Sequence, residues 1–121
     1  MKYLKKNTVE AFDQSVFHSM LQKRIMRSFK NKPDISVNAS RVQYLPNLLQ
    51  NNVRVLYEYK IPEDILSKEL PLKHECTMSV QRTERGIVNY RHMCSKLLYD
   101  LHLVIKNVRR SIRKHFLEEI L

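Results

Sequence analysis

The sequence predicts an α+β fold: a long N-terminal helix, a long C-terminal helix and a small antiparallel sheet between them. Three observations predict it. From about Tyr90 to Leu121, apolar residues recur at steps of three and four, with no Gly or Pro in the run. From Val9 to Phe29 the same period returns through Phe12, Val16, Phe17, Met20, Leu21 and Ile25. Between them, Val53, Val55, Tyr57, Tyr59 and Ile61 alternate with Arg54, Glu58 and Lys60, the signature of a half-buried strand. An all-α bundle is the competing architecture, because Leu45, Leu49, Val53, Leu56 and Tyr59 also fit a helical spacing. At 121 residues the chain is expected to form a single domain, 1–121.

Each element has a local reason. After the basic lead Met1 to Lys6, Asn7 is a good N-cap and Glu10 completes a capping box. The first helix is expected to run from there to about Asn31, with Pro33 as its stop. Asp34 to Tyr44 alternates loosely, as an edge strand does, and Leu45 to Leu49 is expected to begin a helical turn with Pro46 in its first turn. Pro62 to Leu66 fits a short helix start that ends by Pro71. Glu75 to Arg82 alternates again, with Cys76, Met78 and Val80 on one side. Thr83 to Gly86 is a hairpin turn whose glycine takes the left-handed position, with Ile87 to Tyr90 as the return strand. The long helix then starts between Asn89 and Ser95, both acceptable caps.

Composition narrows the function. There is one Gly, which excludes a glycine-rich phosphate loop. The formal net charge is +10, and it is uneven. Residues 1–32 hold eight Lys/Arg against two acids, residues 33–73 five against five, and residues 74–121 nine against five. Basic ends around a neutral middle favour a polyanionic partner, most often nucleic acid. Two cysteines are too few for a disulfide framework. No secretory signal and no membrane-length apolar run is visible, so the expectation is an intracellular soluble protein without membrane association.

The basic positions form two sets, Lys23, Arg24, Arg27 and Lys30 on the first helix and Lys106, Arg109, Arg110, Arg113 and Lys114 on the last. Positions 106, 110 and 113 make one stripe on a helix face. These nine are the candidate nucleic-acid contacts, reading the phosphate backbone of RNA or DNA rather than sequence. Tyr44, Tyr57 and Tyr59 on the sheet offer rings on which bases could stack. An amphipathic helix over the last thirty or so residues spans roughly 45 Å, more than a small core can cover. Leu97, Leu101, Val104, Val108, Ile112 and Phe116 are therefore the candidate partner-binding residues.

His74-Glu75-Cys76 and His92-Met93-Cys94 are two His-x-Cys pairs. Across a hairpin turning at Thr83 to Gly86, His74, Cys76, His92 and Cys94 would approach a tetrahedral zinc set, although the spacing departs from the usual zinc motifs. Packed thiols and surface imidazoles are the plainer account, so no metal and no cofactor is assigned. The Ser, His and Asp residues are scattered, with no nucleophile elbow, and no dinucleotide fingerprint is present. The resulting expectation is a non-enzymatic basic subunit of a larger assembly, contacting nucleic-acid backbone and other protein subunits. The alternative is a protein-interaction adaptor or homodimer built on the C-terminal helix, with its charge only solubilising; a zinc-stabilised module comes third.

Overall fold

The computed structural model describes residues 12–32, 35–47, 49–60 and 73–120, with the side chains of Ile112 and of residues 115–120 outside the description. The expectations for Met1 to Glu10 and for the Pro62–Leu66 helix start lie outside the described residues. The elements are α1 (Gln14–Phe29), β1 (Ser36–Pro46), β2 (Asn51–Lys60), β3 (Lys73–Ser79) and α2 (Tyr90–Ile120). The strands form one antiparallel sheet in the order β1-β2-β3. The architecture is α+β, and the all-α alternative does not describe it.

The capping expectation for α1 needs correction. Asp13 is extended, at φ −101° and ψ 102°, and its carboxylate accepts from Val16 N. The helix therefore starts at Gln14, and no single helix runs through from Asn7. Asp13 wins because it stands directly before the apolar repeat Phe17, Leu21, Ile25, Phe29, all buried.

β2 follows its alternation: Val53, Val55, Tyr57 and Tyr59 are all at or below 3% exposure. β1 alternates loosely because it carries a bulge. Its register with β2 shifts between Ala39 and Arg41, so Ser40 is the extra residue and its hydroxyl donates to Leu56 O at 3.1 Å. The bulge moves the buried positions from Val37 and Ala39 to Val42. Leu45 and Pro46 continue this strand, contrary to the expected helical turn. Pro46 is tolerated as the last residue of an edge strand. Asn47 then closes the turn, its side-chain oxygen accepting from Leu49 N and Gln50 N.

Gly86 sits at φ 79°, the left-handed position the turn requires. The return strand does not follow. Val88 makes one isolated bridge to Arg82, and Asn89 then caps α2 through a bond from His92 N at 3.1 Å.

Both helices cover the same face of the sheet and run side by side in the same direction. Tyr90, at the start of α2, meets the rings of Phe12 and Phe17 at the start of α1. His102, three turns on, stacks on Phe29 at the end of α1. The core between the layers includes Phe17, Leu21 and Ile25 of α1, and Met93, Leu97, Leu101 and Ile105 of α2. Those positions share one stripe of each helix, so the burial follows from the 3.6-residue period.

Candidate nucleic-acid interface

α2 outlasts α1, and beyond the end of α1 its flank opens into a cleft of about 370 Å³. His102, Ile105, Lys106, Arg109, Arg110 and Arg113 line it. The polar ones stand at successive turns of one helix flank, which is why a straight helix brings them together. Among the described residues no carboxylate lines the cleft. Among the described residues the ion pair shown is Arg54–Glu75, at 3.4 Å on the far face of the sheet. Lys106, Arg110 and Arg113 have no acidic partner among the described residues. Like charges held together without a counter-charge repel, and that repulsion is relieved by a polyanion.

The end of α1 contributes to the same place. Lys32 lies over the Phe29 ring, 5.0 Å from its centroid, and the same ring stacks on the imidazole of His102, with centroids 5.0 Å apart. Partial burial, then the charges of Lys32 and Arg109, hold the His102 pKa below the usual imidazole value. His102 lines the cleft, Lys32 stands beside it without lining it, and the nine candidate contacts include neither. His102 is recognisable as the position one turn before Lys106. Lys32 has no sequence signal, because only the packing of α1 on α2 brings it there.

The other basic candidates are placed elsewhere. Lys23, Arg27 and Lys30 are exposed on α1 but do not line the cleft. Arg24 is half-buried near Cys94, whose thiol pKa burial raises and the Arg24 charge partly lowers. Lys114 is exposed, about 100° round the helix from Arg113. The tyrosines are not a stacking platform. Tyr57 and Tyr59 are 1% and 3% exposed beneath the helices, and Tyr44 stacks on Phe12 with centroids 5.2 Å apart. Burial pushes both phenol pKa values well up, and neither hydroxyl has a hydrogen-bond partner among the described residues.

The partner-binding stripe also needs correction. Leu97 and Leu101 are 1% exposed and Val108 is 9% exposed, covered by this chain's own core, with Val104 packed against it. Ile112 and Phe116 lie outside the described side chains. Among the described side chains of α2, the large apolar residues that stay exposed are Tyr99, at 67%, and Leu103, at 47%. Both fall off the stripe, Tyr99 midway between Leu97 and Leu101 and Leu103 just before Val104, which is why the periodicity passes over them.

The zinc constellation does not assemble among the described residues, where no three His, Cys, Asp or Glu side chains converge. Cys76 pairs opposite Val55 and His74 opposite Tyr57 on β3. His92 and Cys94 are on a helix, about 200° apart in direction, so Cys94 is buried while His92 is exposed. Both thiols are free, and burial raises the pKa of each. A second cavity, of about 260 Å³, lies between α2 and the ends of β2 and β3, walled by Tyr59, His74, Val104 and Val108. Among the described residues no helix is long and apolar enough to cross a membrane. The chain matches no family model, no curated protein and no solved structure.

Proposed function

We propose that this chain is a non-catalytic basic subunit of a larger assembly that holds the phosphate backbone of folded, double-stranded nucleic acid. One observation carries the reading. Lys106, Arg109, Arg110 and Arg113 line a single cleft to which the described residues contribute no carboxylate, and the charge of Lys32 acts on His102 at its edge. Arginine presents a planar fork that binds phosphate oxygens bidentately, and lysine adds a point charge. Partial burial, and then the charges of Lys32 and Arg109, disfavour the protonated form of His102, and a bound phosphate would favour it.

The choice of duplex over single strand comes from the tyrosines. Single strands are held by stacking bases on exposed rings. Here Tyr57 and Tyr59 are inside the core and Tyr44 is already stacked on Phe12, which favours reading of the backbone. Recognition is then largely independent of sequence.

Four cations, Lys32, Lys106, Arg110 and Arg113, neutralising four phosphates give a logarithmic salt slope of about −3.6. Affinity for a labelled duplex should therefore fall about 10²-fold between ~50 and ~200 mM salt. Fluorescence anisotropy on a duplex and a single strand of equal length measures this. Weak binding that is flat with salt, or a preference for the single strand, would refute the reading.

A further inference from the structure

The two edges of the sheet are finished differently. α1 seals the outer edge of β1 with three side chains one turn apart, Gln14, His18 and Gln22. Gln22 Oε1 accepts from Ala39 N at 2.9 Å, His18 Nε2 bonds to Ala39 O, and Gln14 Oε1 accepts from Tyr44 N at 3.0 Å. An edge strand closed this way cannot recruit another strand.

On β3, among the described residues, no helix side chain does this, and the one side-chain bond shown to an outward backbone group is local, from Gln81 Nε2 to Ser79 O at 3.5 Å. Val80 N donates to Asn51 O at 2.8 Å, which fixes the phase of the ladder between β2 and β3. His74, Cys76, Met78 and Val80 bond inward to β2. Lys73, Glu75, Thr77 and Ser79 turn their N–H and C=O groups outward. The apolar face is unfinished along the same edge. Val53, Val55, Tyr57 and Tyr59 on the helix side of β2 are buried, whereas Cys76, Met78 and Val80 are only half-buried.

We propose that the open edge of β3 pairs antiparallel with β3 of a second copy of this chain, across a twofold axis at Cys76. The edge is self-complementary in that register. Glu75 faces Thr77 of the partner subunit, and Lys73 faces Ser79 of the partner subunit, so no like charges oppose. On the helix side, His74 faces Met78 of the partner subunit, and Cys76 faces Cys76 of the partner subunit. A slip that sets Glu75 against Glu75 of the partner subunit opposes two carboxylates and is disfavoured. The flank of α2 above β3 is self-complementary too. Asp100 and Lys96 act on the Cys76 thiol from that flank. The twofold turns each Lys96 toward Asp100 of the partner subunit. Pairing gives a six-stranded sheet and leaves the basic cleft, on the α1 side of α2, open in both copies. The inference stands independently of the nucleic-acid reading.

Sedimentation of the full chain in reductant, followed by oxidation with diamide, tests it. The wild type should be a reversible dimer. Diamide should take up the two thiol hydrogens and link Cys76 to its copy, since a non-hydrogen-bonded antiparallel pair brings the α-carbons within disulfide reach. The link should persist in Cys94→Ser and vanish in Cys76→Ser. Thr77→Glu sets it against Glu75 of the partner subunit twice and should weaken the dimer roughly tenfold. The double variant Glu75→Lys/Thr77→Glu restores opposite charges and should recover it. A monomeric wild type, or a dimer indifferent to Thr77→Glu and without the Cys76 link, would overturn the proposal.

Discussion

Replacing Leu101 by alanine should cost about 3 kcal/mol of folding stability, within the range for a buried leucine that leaves a partly collapsed cavity. Leu101 is 1% exposed in the middle of α2, where the helix crosses the sheet. Folded domains are stable by only ~5–15 kcal/mol, so the loss is a large share of the total. Thermal or urea denaturation measures it. Leu103→Ala, two residues on at 47% exposure, should be close to neutral. The comparison decides who covers the apolar stripe of α2. A Leu101→Ala loss below ~1 kcal/mol would mean that the stripe is not packed on this chain's own sheet. It would then return to the role its periodicity first implied, that of a surface for a partner.

The triple variant Lys106→Ala/Arg110→Ala/Arg113→Ala should nearly abolish duplex binding at moderate salt. Each side chain neutralises one phosphate, so the logarithmic salt slope becomes shallower by about 2.7. With the salt-independent part unchanged, the affinity lost at ~0.1 M salt is ~10²–10³-fold. Stability should hardly change, because Lys106, Arg110 and Arg113 are exposed and have no acidic partner among the described residues. The control is Lys23→Ala/Arg27→Ala/Lys30→Ala, which removes equal charge from exposed positions that do not line the cleft. Equal losses from the two triples would point to diffuse charge attraction rather than a formed site.

Local signals carried most of the fold. β2 was legible because Val53, Val55, Tyr57 and Tyr59 keep a strict alternation and are all buried. Gly86 was legible because a left-handed turn position has few other tenants. The losses came where long-range contacts decide. The Ser40 bulge shifts which residues of β1 face inward, so a correct strand reads as a loose one. Asn7 and Asp13 are both acceptable caps, and the structure uses Asp13. After Gly86 the chain had short-range support for a return strand, yet Asn89 opens a helix whose Met93, Leu97 and Leu101 fill the core.

The candidate site was half legible for the same reason. Spacing alone puts Lys106, Arg110 and Arg113 on one stripe. It does not reveal that Lys32 arrives from another element through Phe29 and His102. An amphipathic stripe shows that something covers a helix but not what covers it, so Leu97 and Leu101 read equally well as core or as interface. The His-x-Cys pairs failed as a zinc set because their geometry required a strand where the chain is helical.

Chemical-shift mapping of the labelled full chain during titration with a short duplex tests the central claim most directly. The account predicts shifts concentrated at His102, Lys106, Arg109, Arg110 and Arg113, with Lys32 and Phe29 following. Shifts centred on the far face of the sheet, at Arg41 and Arg54, or on Lys23 and Arg27, with the cleft silent, would contradict it.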